Sequence, residues 1–200
     1  MKREYSMKKN LIFIGMPAVG KSTVGIVVAK RLGMRFIDTD LLIQEQEGKL
    51  LREIIAEKGE EGFLEIENQV NASVKASNSV ISPGGSVIYC QEAMKHYKKI
   101  GTIVYLKASY QTIKRRIKNP KKRGVVLKEG QSLRDLYYER VPYFEKYADI
   151  TICEDGCRIE DTIKNVLNAV KKYRKTAQKR TEKRTEFRKK LDNTPKSKLK

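Results

Sequence analysis

One glycine-rich segment near the N-terminus has the residue types and spacing that bind phosphate. Residues 15–22 read GMPAVGKS and match the pattern G-x-x-x-x-G-K-[ST]. In this pattern backbone N–H groups surround phosphate oxygens at a helix N-terminus, Lys21 neutralises the β and γ oxygens, and the Ser22 hydroxyl is a Mg²⁺ ligand. A glycine turn with an incidental lysine is the alternative, but a strand before the match and a helix after it favour nucleotide binding. The predicted nucleotide-binding residues here are Gly15, Ala18, Val19, Gly20, Lys21, Ser22 and Thr23.

Two aspartates follow in the segment FIDTD, at Asp38 and Asp40. If this segment ends a strand, both side chains point to one face at the edge of the sheet where such folds bind ligands. One carboxylate can then orient the waters of a metal ion while the other accepts a proton from an attacking hydroxyl. Capping of the next helix by Asp38, Thr39 or Asp40 is the alternative, although a cap needs a single such residue.

The elements that must position these residues alternate between strands and helices. Short apolar segments predict strands at 10–15, 35–40, 79–82, 102–108 and 149–153. Helical segments lie between them, with breaks expected at Gly48 and Gly59, and a long helix begins at about Ile159. This alternation predicts a parallel sheet covered on both faces, which is a three-layer α/β fold.

The charge of the chain is concentrated at its end. Residues 171–200 contain 14 Lys and Arg against three acids and carry +11 of the net +19. We therefore expect one globular domain over 1–172 and a basic helical or disordered tail over 173–200. The tail is either a solvated extension or a basic arm for nucleic acid or another anionic surface.

The cysteines and the hydropathy indicate where the protein works. Cys90, Cys153 and Cys157 form no CxxC pair, and His96 is the single histidine, so a structural zinc site is not expected. An odd number of cysteines without a secretion signal indicates a reducing cytosol, and no apolar stretch approaches the length of a membrane span. We expect a cytoplasmic, monomeric protein with no membrane contact.

With these residues in place, the chain resembles the shikimate kinases over about residues 8–170. The phosphate loop is followed, in that family's order, by motifs at 38–40 (DTD), 59–67 (GEEGFLEIE), 82–86 (SPGGS), 115–124 (RRIKNPKKRG) and 136–149 (LYYERVPYFEKYAD). The resemblance implies transfer of the γ-phosphoryl group of ATP, with Mg²⁺, to the 3-hydroxyl of shikimate in aromatic amino acid biosynthesis. It also implies a nucleoside-monophosphate-kinase-like fold with five parallel strands.

On the ATP side, the resemblance assigns Lys21 and Ser22 to phosphate and Mg²⁺, and Asp38 to the neighbourhood of the metal. Arg116 matches the residue that stacks on adenine, and Arg123 matches the arginine of a lid that closes on phosphate. The basic, glycine-bearing segment 118–131 is typical of such a lid, which would exclude water from the reaction. Lys21, Asp40 and Arg123 are the predicted catalytic residues.

On the acceptor side, the resemblance places Asp40 on the reacting hydroxyl and Arg140 on the substrate carboxylate. Gly84 and Gly85 match backbone that approaches the substrate. Ser82 matches a serine that stands in place of a second metal-binding carboxylate. Arg140 lies close enough to the apolar stripe of its helix to be partly buried, so its partner is either a structural carboxylate or the substrate.

Two acceptor-side positions depart from the family pattern. Leu64 stands where the family has an arginine that also grips the carboxylate, and Ser86 replaces a glycine. Helical periodicity puts Leu64 about 100° from Phe63, on a polar flank beside Glu67 and Asn71. Without compensation, this loss would weaken substrate binding by about 2 to 4 kcal/mol.

Three functions remain open at this point. The first is a shikimate kinase whose carboxylate grip relies on Arg140 and the basic lid. The second is a sister kinase for another hydroxylated metabolite, such as the amino alcohol homoserine, whose ammonium group would face Glu67. The third is a nucleotide-dependent module that binds nucleic acid through its basic tail.

Overall fold

The computed structural model describes residues 10–117, 125, 127, 128 and 130–192. Five strands form one sheet, and every pair of neighbouring strands is parallel. The order across the sheet is β2-β3-β1-β4-β5. The strands are β1 (Asn10–Ile14), β2 (Arg35–Asp38), β3 (Ser79–Ser82), β4 (Gly101–Lys107) and β5 (Ile150–Cys153). Every residue of β1 is buried, as expected for the central strand of a parallel sheet.

Helices flank this sheet and alternate with its strands. They are α1 (Lys21–Leu32), α2 (Thr39–Glu47), α3 (Leu51–Ser73), α4 (Gln91–Ile100), α5 (Tyr110–Arg116), α6 (Leu133–Tyr147) and α7 (Ile159–Asp192). A short 3₁₀ turn, Val87–Tyr89, precedes α4. Helix α1 packs against β3, β2 and α7, whereas α4 and α6 pack against β4. The predicted α/β class and the five-stranded parallel sheet are confirmed.

The first strand and the phosphate loop are held tightly against β4. Gly15 has a φ of +148°, and a Cβ atom there would lie 2.6 Å from the backbone oxygen of Leu106. Glycine is required at this position both for its backbone conformation and for this close approach. The loop therefore begins at a fixed point above the centre of the sheet.

The helical segment between β2 and β3 breaks where its glycines are. Gly48 ends α2 with a φ of 65°, and Gly59 is a non-helical residue within α3, with a φ of 71°. Both predicted breaks are thus present, although the two pieces on either side of Gly59 are joined in a single element. The second piece of α3 contains Phe63, Leu64 and Glu67.

The end of β2 differs from the prediction. The strand ends at Asp38, because the Asp38 side chain caps α2 and its Oδ1 accepts a hydrogen bond from the Asp40 backbone N–H (3.1 Å). Asp40 consequently lies in the first turn of a helix, and the argument from strand alternation was wrong for it. Asp38 combines the capping role with a position at the strand end.

The last described element is the long helix α7. Ile163, Val166 and Val170 are buried, and this part of α7 packs against α1 and β5. The helix continues to Asp192, and its side chains whose exposure is described, between Lys171 and Thr185, are mostly exposed; 193–200 lie outside the described residues. In the described part of the chain, no helix is both long and apolar enough to cross a membrane.

Candidate active site

A cavity of about 360 Å³ opens where β1 and β3 end. Lys21 and Ser22 line it from the start of α1, and Asp40 lines it from the start of α2. The remaining walls come from the second piece of α3 and from the loop that follows β3. They include Phe63, Glu67, Ser82, Pro83, Gly84, Gly85 and Ser86. Ligand binding at the carboxyl ends of parallel strands is the rule in open α/β sheets.

The phosphate loop has the backbone conformation that its glycines predict. Ala18 and Gly20 have positive φ values of 60° and 111°, and the Val19 N–H donates to Met16 O (3.2 Å). Lys21 folds back over the loop, where its Nζ donates to Gly15 O (3.1 Å) and Met16 O (3.4 Å). Desolvation lowers the pKa of Lys21 to about 8, although Asp40 acts in the opposite direction. A cation held inside a glycine loop at a helix N-terminus is suited to neutralising phosphate oxygens.

Three predicted metal-site residues meet beside this loop, although they come from three different elements. The Ser22 hydroxyl donates to Asp38 Oδ2 (2.8 Å) and lies 3.2 Å from Ser82 Oγ. Mg²⁺ prefers oxygen ligands and usually keeps several waters, so one carboxylate with two hydroxyls is a fitting donor set. The described residues include no cluster of three His, Cys, Asp or Glu side chains that would hold a different kind of metal ion.

Two carboxylates converge on the backbone of Gly84. A Cβ atom on Gly84 would lie 2.5 Å from Glu67 Oε1 and 3.0 Å from Asp40 Oδ1, so no larger residue fits there without movement. Desolvation and the nearby Asp38 raise the pKa of Asp40 to about 6. A carboxylate with a pKa in this range is suited to accepting a proton near neutral pH.

Arg140 is buried behind the neighbouring glycine. Its side chain comes from α6 and is 2% exposed, and a Cβ atom on Gly85 would lie 3.1 Å from its Nη1. The guanidinium lies 5.4 Å from the centre of the Tyr89 ring, while its Nε has no hydrogen-bond partner. Among the residues that the structure describes, no carboxylate forms an ion pair with Arg140. The structural carboxylate that sequence reasoning left open is therefore not seen in this part of the chain.

Leu64 does not line the cavity. It is partly buried against the main hydrophobic core, and its backbone oxygen accepts a weak hydrogen bond from the Cys90 thiol (3.6 Å). The flank that was predicted to be polar is in fact buried, since Glu67 and Asn71 are both fully inaccessible. Helix α4 covers this flank, where the Tyr97 hydroxyl donates to Asn71 Oδ1 (2.5 Å).

Glu67 is a buried carboxylate without an arginine beside it on its own helix. No arginine lies at position 64 to pair with it, and its Oε1 has no hydrogen-bond partner within the described residues. Burial raises the pKa of Glu67 to about 7, and the nearby Ser86 side chain acts against that rise. Ser86, one of the two departures from the family pattern, therefore lies beside this carboxylate, and Leu64, the other, leaves it without an arginine neighbour. The sequence marks Ser86 as a departure from the family pattern, but it does not indicate that Ser86 lies near Glu67.

A second cavity, of about 220 Å³, lies on the other side of the phosphate loop. Arg116 lines it, and its Nη1 donates to Val19 O (2.8 Å) and to Glu154 Oε2 (3.1 Å). Ala18, Gly20 and Thr23 belong to the walls of both cavities. A nucleotide could thus place its phosphates on the loop and its base beside Arg116. No pattern in the sequence indicated a role for Glu154.

Part of the predicted lid cannot be placed. Residues 118–124, 126 and 129 lie outside the described residues, and Arg123 is among them. Its role in catalysis stays a prediction.

Comparison with known proteins identifies the family. A family model for shikimate kinase matches residues 17–171. A shikimate kinase from Sulfurihydrogenibium sp. is 33% identical over 165 residues, which cover 82% of this chain and 99% of that protein. The human protein Threonine synthase-like 1 is 38% identical over 168 residues, which cover 82% of this chain but 23% of that protein.

A solved structure leads to the same family. The shikimate kinase from Acinetobacter baumannii in complex with shikimate matches with a TM-score of 0.69 and 26% sequence identity. The match covers 82% of this chain and 93% of that one. The chain therefore belongs to the shikimate kinase family.

Proposed function

We propose that this protein is an ATP-dependent kinase that phosphorylates the 3-hydroxyl of shikimate. The observation that carries the proposal is a single cavity that combines the Lys21 ammonium, the Asp40 carboxylate and a wall beside the buried Arg140 guanidinium. A phosphate-binding cation, a base and an anion-binding group are what transfer to a hydroxyl of a small carboxylic acid requires.

The ATP side of the site is built for charge neutralisation. Lys21 and the backbone of the loop bind the β- and γ-phosphates. Ser22, Asp38 and Ser82 would hold Mg²⁺, which when bound neutralises phosphate charge and orients the triphosphate. Asp38 accepts the Ser22 hydrogen bond in the protein alone, so the donor set is already assembled before the metal arrives.

The acceptor side is built around Asp40. The acceptor hydroxyl oxygen forms a bond to the γ-phosphorus, its proton passes to Asp40, and the bond between the γ-phosphorus and its bridging oxygen breaks to release ADP. Gly84 and Gly85 leave space for the acceptor beside this carboxylate, because a side chain at either position would meet Glu67, Asp40 or Arg140. Arg140 binds the substrate carboxylate.

The carboxylate grip of this site differs from the family pattern. Leu64 has no charge. Among the described residues, Arg140 is therefore the one that binds the substrate carboxylate. Because a buried guanidinium without an anionic partner is costly, Arg140 gains more from a substrate carboxylate than an ion-paired arginine would. This compensates in part for the missing arginine.

Substitution of Arg140 tests this assignment. We expect Arg140→Met to raise the KM for shikimate by about 100-fold or more, since truncation of a buried charged contact typically costs 2 to 5 kcal/mol. The KM for ATP should change little. Arg134→Met, at an exposed position of the same helix, is the matched control. If both variants keep the wild-type KM for shikimate, Arg140 does not bind the acceptor.

A second acceptor class is favoured by one observation, the fully buried Glu67 with its unpartnered Oε1. An amino alcohol that also carries a carboxylate, such as homoserine, would place its ammonium group on Glu67, its carboxylate on Arg140 and its hydroxyl on Asp40.

An ammonium-bearing acceptor requires a negative charge on Glu67, whereas shikimate does not. Glu67→Gln removes the negative charge and should abolish turnover of an ammonium-bearing acceptor while sparing most turnover of shikimate. Initial rates of ADP release with shikimate and with homoserine, for wild type and for this variant, distinguish the two classes. Turnover of homoserine that survives the substitution would exclude the ammonium contact.

We also propose that residues 1–172 form the kinase domain and 173–200 a basic appendage. We further propose a monomer, and three unpaired cysteines support a cytoplasmic location. Nucleic acid would bind only through the appendage, whose described residues are mostly exposed. A chain truncated after residue 174 should keep its kinase activity and lose any salt-sensitive affinity for DNA or RNA. Equal affinity before and after truncation would rule out the appendage as a binding site.

A further inference from the structure

Glu154 is a buried carboxylate in the second cavity, and the phosphoryl transfer described above does not use it. It follows β5, and its backbone N–H donates to Lys107 O (2.8 Å), which fixes its position at the end of the sheet. The residue is 4% exposed. Its Oε2 accepts from Arg116 Nη1, whereas its Oε1 has no hydrogen-bond partner among the described residues.

The location of Glu154 is informative because it lines a cavity that the phosphate loop also lines. Glu154 and Arg116 line this cavity together with Gly20 and Thr23 of the loop and of the start of α1. A nucleotide whose phosphates lie on the loop would therefore carry its base into contact with these side chains. A buried acceptor without a partner is costly, so the free oxygen is expected to be satisfied by a donor on the ligand.

We propose that Glu154 determines base specificity, with Oε1 accepting a hydrogen bond from the exocyclic amino group of adenine. One oxygen of the carboxylate is already held by Arg116, so a single oxygen remains to accept a hydrogen bond from the base. Adenine offers one exocyclic amine to such an acceptor, whereas guanine offers two adjacent donors that suit a carboxylate with both oxygens available. The inference rests on the proposed function only in requiring a purine nucleotide on the loop, and it does not depend on the acceptor.

Nucleoside diphosphates test this without any acceptor. Dissociation constants are measured by calorimetry for ADP, for IDP, which has a 6-oxo group, and for purine riboside diphosphate, which has no 6-substituent. Wild type should bind ADP at least about 10-fold more tightly than IDP or purine riboside diphosphate, because these two ligands lack the amine that would donate a hydrogen bond to the charged carboxylate.

The variant Glu154→Gln gives the sharper result. Arg116 donates to position 154, so the amide oxygen will face Arg116 and the amide NH₂ will face the base. This donor matches the 6-oxo group of IDP and conflicts with the amine of ADP. We therefore expect affinity for ADP to fall about 10-fold and affinity for IDP to be kept or to rise. Glu160→Gln, at an exposed position early in α7, is the control.

Two results would overturn the proposal. If Glu154→Gln weakens ADP, IDP and purine riboside diphosphate by the same factor, Glu154 only positions Arg116. If wild type binds GDP more tightly than ADP, the carboxylate selects guanine instead. A wrong acceptor assignment would leave all of these binding constants unchanged, so failures of the two proposals can be told apart.

Discussion

Replacing Glu67 by glutamine should stabilise the ligand-free protein at alkaline pH. The carboxylate is fully buried, and burial raises its pKa from 4.5 to about 7. Between these two values the folded protein binds more protons than the unfolded chain, so stability falls as the pH rises through this window. Above pH 7 the whole penalty is present, and the difference in pKa corresponds to roughly 3 kcal/mol as an upper limit.

Glutamine has nearly the same shape and stays neutral, so Glu67→Gln removes this penalty. We expect a gain of up to roughly 3 kcal/mol in the free energy of unfolding at pH 8, and less than about 1 kcal/mol at pH 5. Urea unfolding at both pH values measures the gain. Glu61→Gln, exposed on the same helix, should change stability little at either pH.

The reasoning is refuted if Glu67→Gln is no more stable than wild type at pH 8. Such a result would mean that the ionised Glu67 has a compensating positive partner in the protein alone. The same result would weaken the case for a substrate ammonium group at this position, because the carboxylate would already be satisfied.

Two further predictions concern catalysis. Leu64→Arg places a guanidinium next to Glu67 and should lower the KM for shikimate about 10-fold or more, whereas Leu41→Arg at an exposed position should not; equal KM values in both variants would show that position 64 does not reach the acceptor. The pH profile of kcat/KM should fall below about pH 6, as Asp40 becomes protonated, and above about pH 8, as Lys21 loses its proton. A profile that is flat from pH 5 to pH 9 would contradict both assignments.

The parts of the fold that depend on local sequence could be predicted. Strand β1, the phosphate loop and α1 follow one another within 23 residues, Asn10–Leu32, and each has its own signal: an apolar run, a glycine pattern and helical composition. The position of Asp38 near the phosphate loop was also expected, because parallel strands bring their carboxyl ends to one edge of the sheet, whereas Ser82 was implied by the resemblance to the shikimate kinases.

The burial of polar residues could not be predicted in the same way. Helical periodicity separates apolar from polar positions, so Glu67 and Asn71 were assigned to a polar flank. Helix α4 covers that flank, and nothing within α3 indicates where α4 packs. The ion pair between Arg116 and Glu154 joins residues that are 38 positions apart, and neither side chain indicates the other in the sequence.

The central claim is that this site phosphorylates shikimate despite Leu64. The most direct test is the ratio of kcat/KM for shikimate to kcat/KM for homoserine, measured with Mg·ATP by ADP release. We expect shikimate to be preferred by at least about 100-fold, because the two acceptors differ in several hydrogen-bonding groups. Turnover of homoserine at an enzymatic rate, with none for shikimate, would contradict the claim and identify Glu67 as an ammonium site.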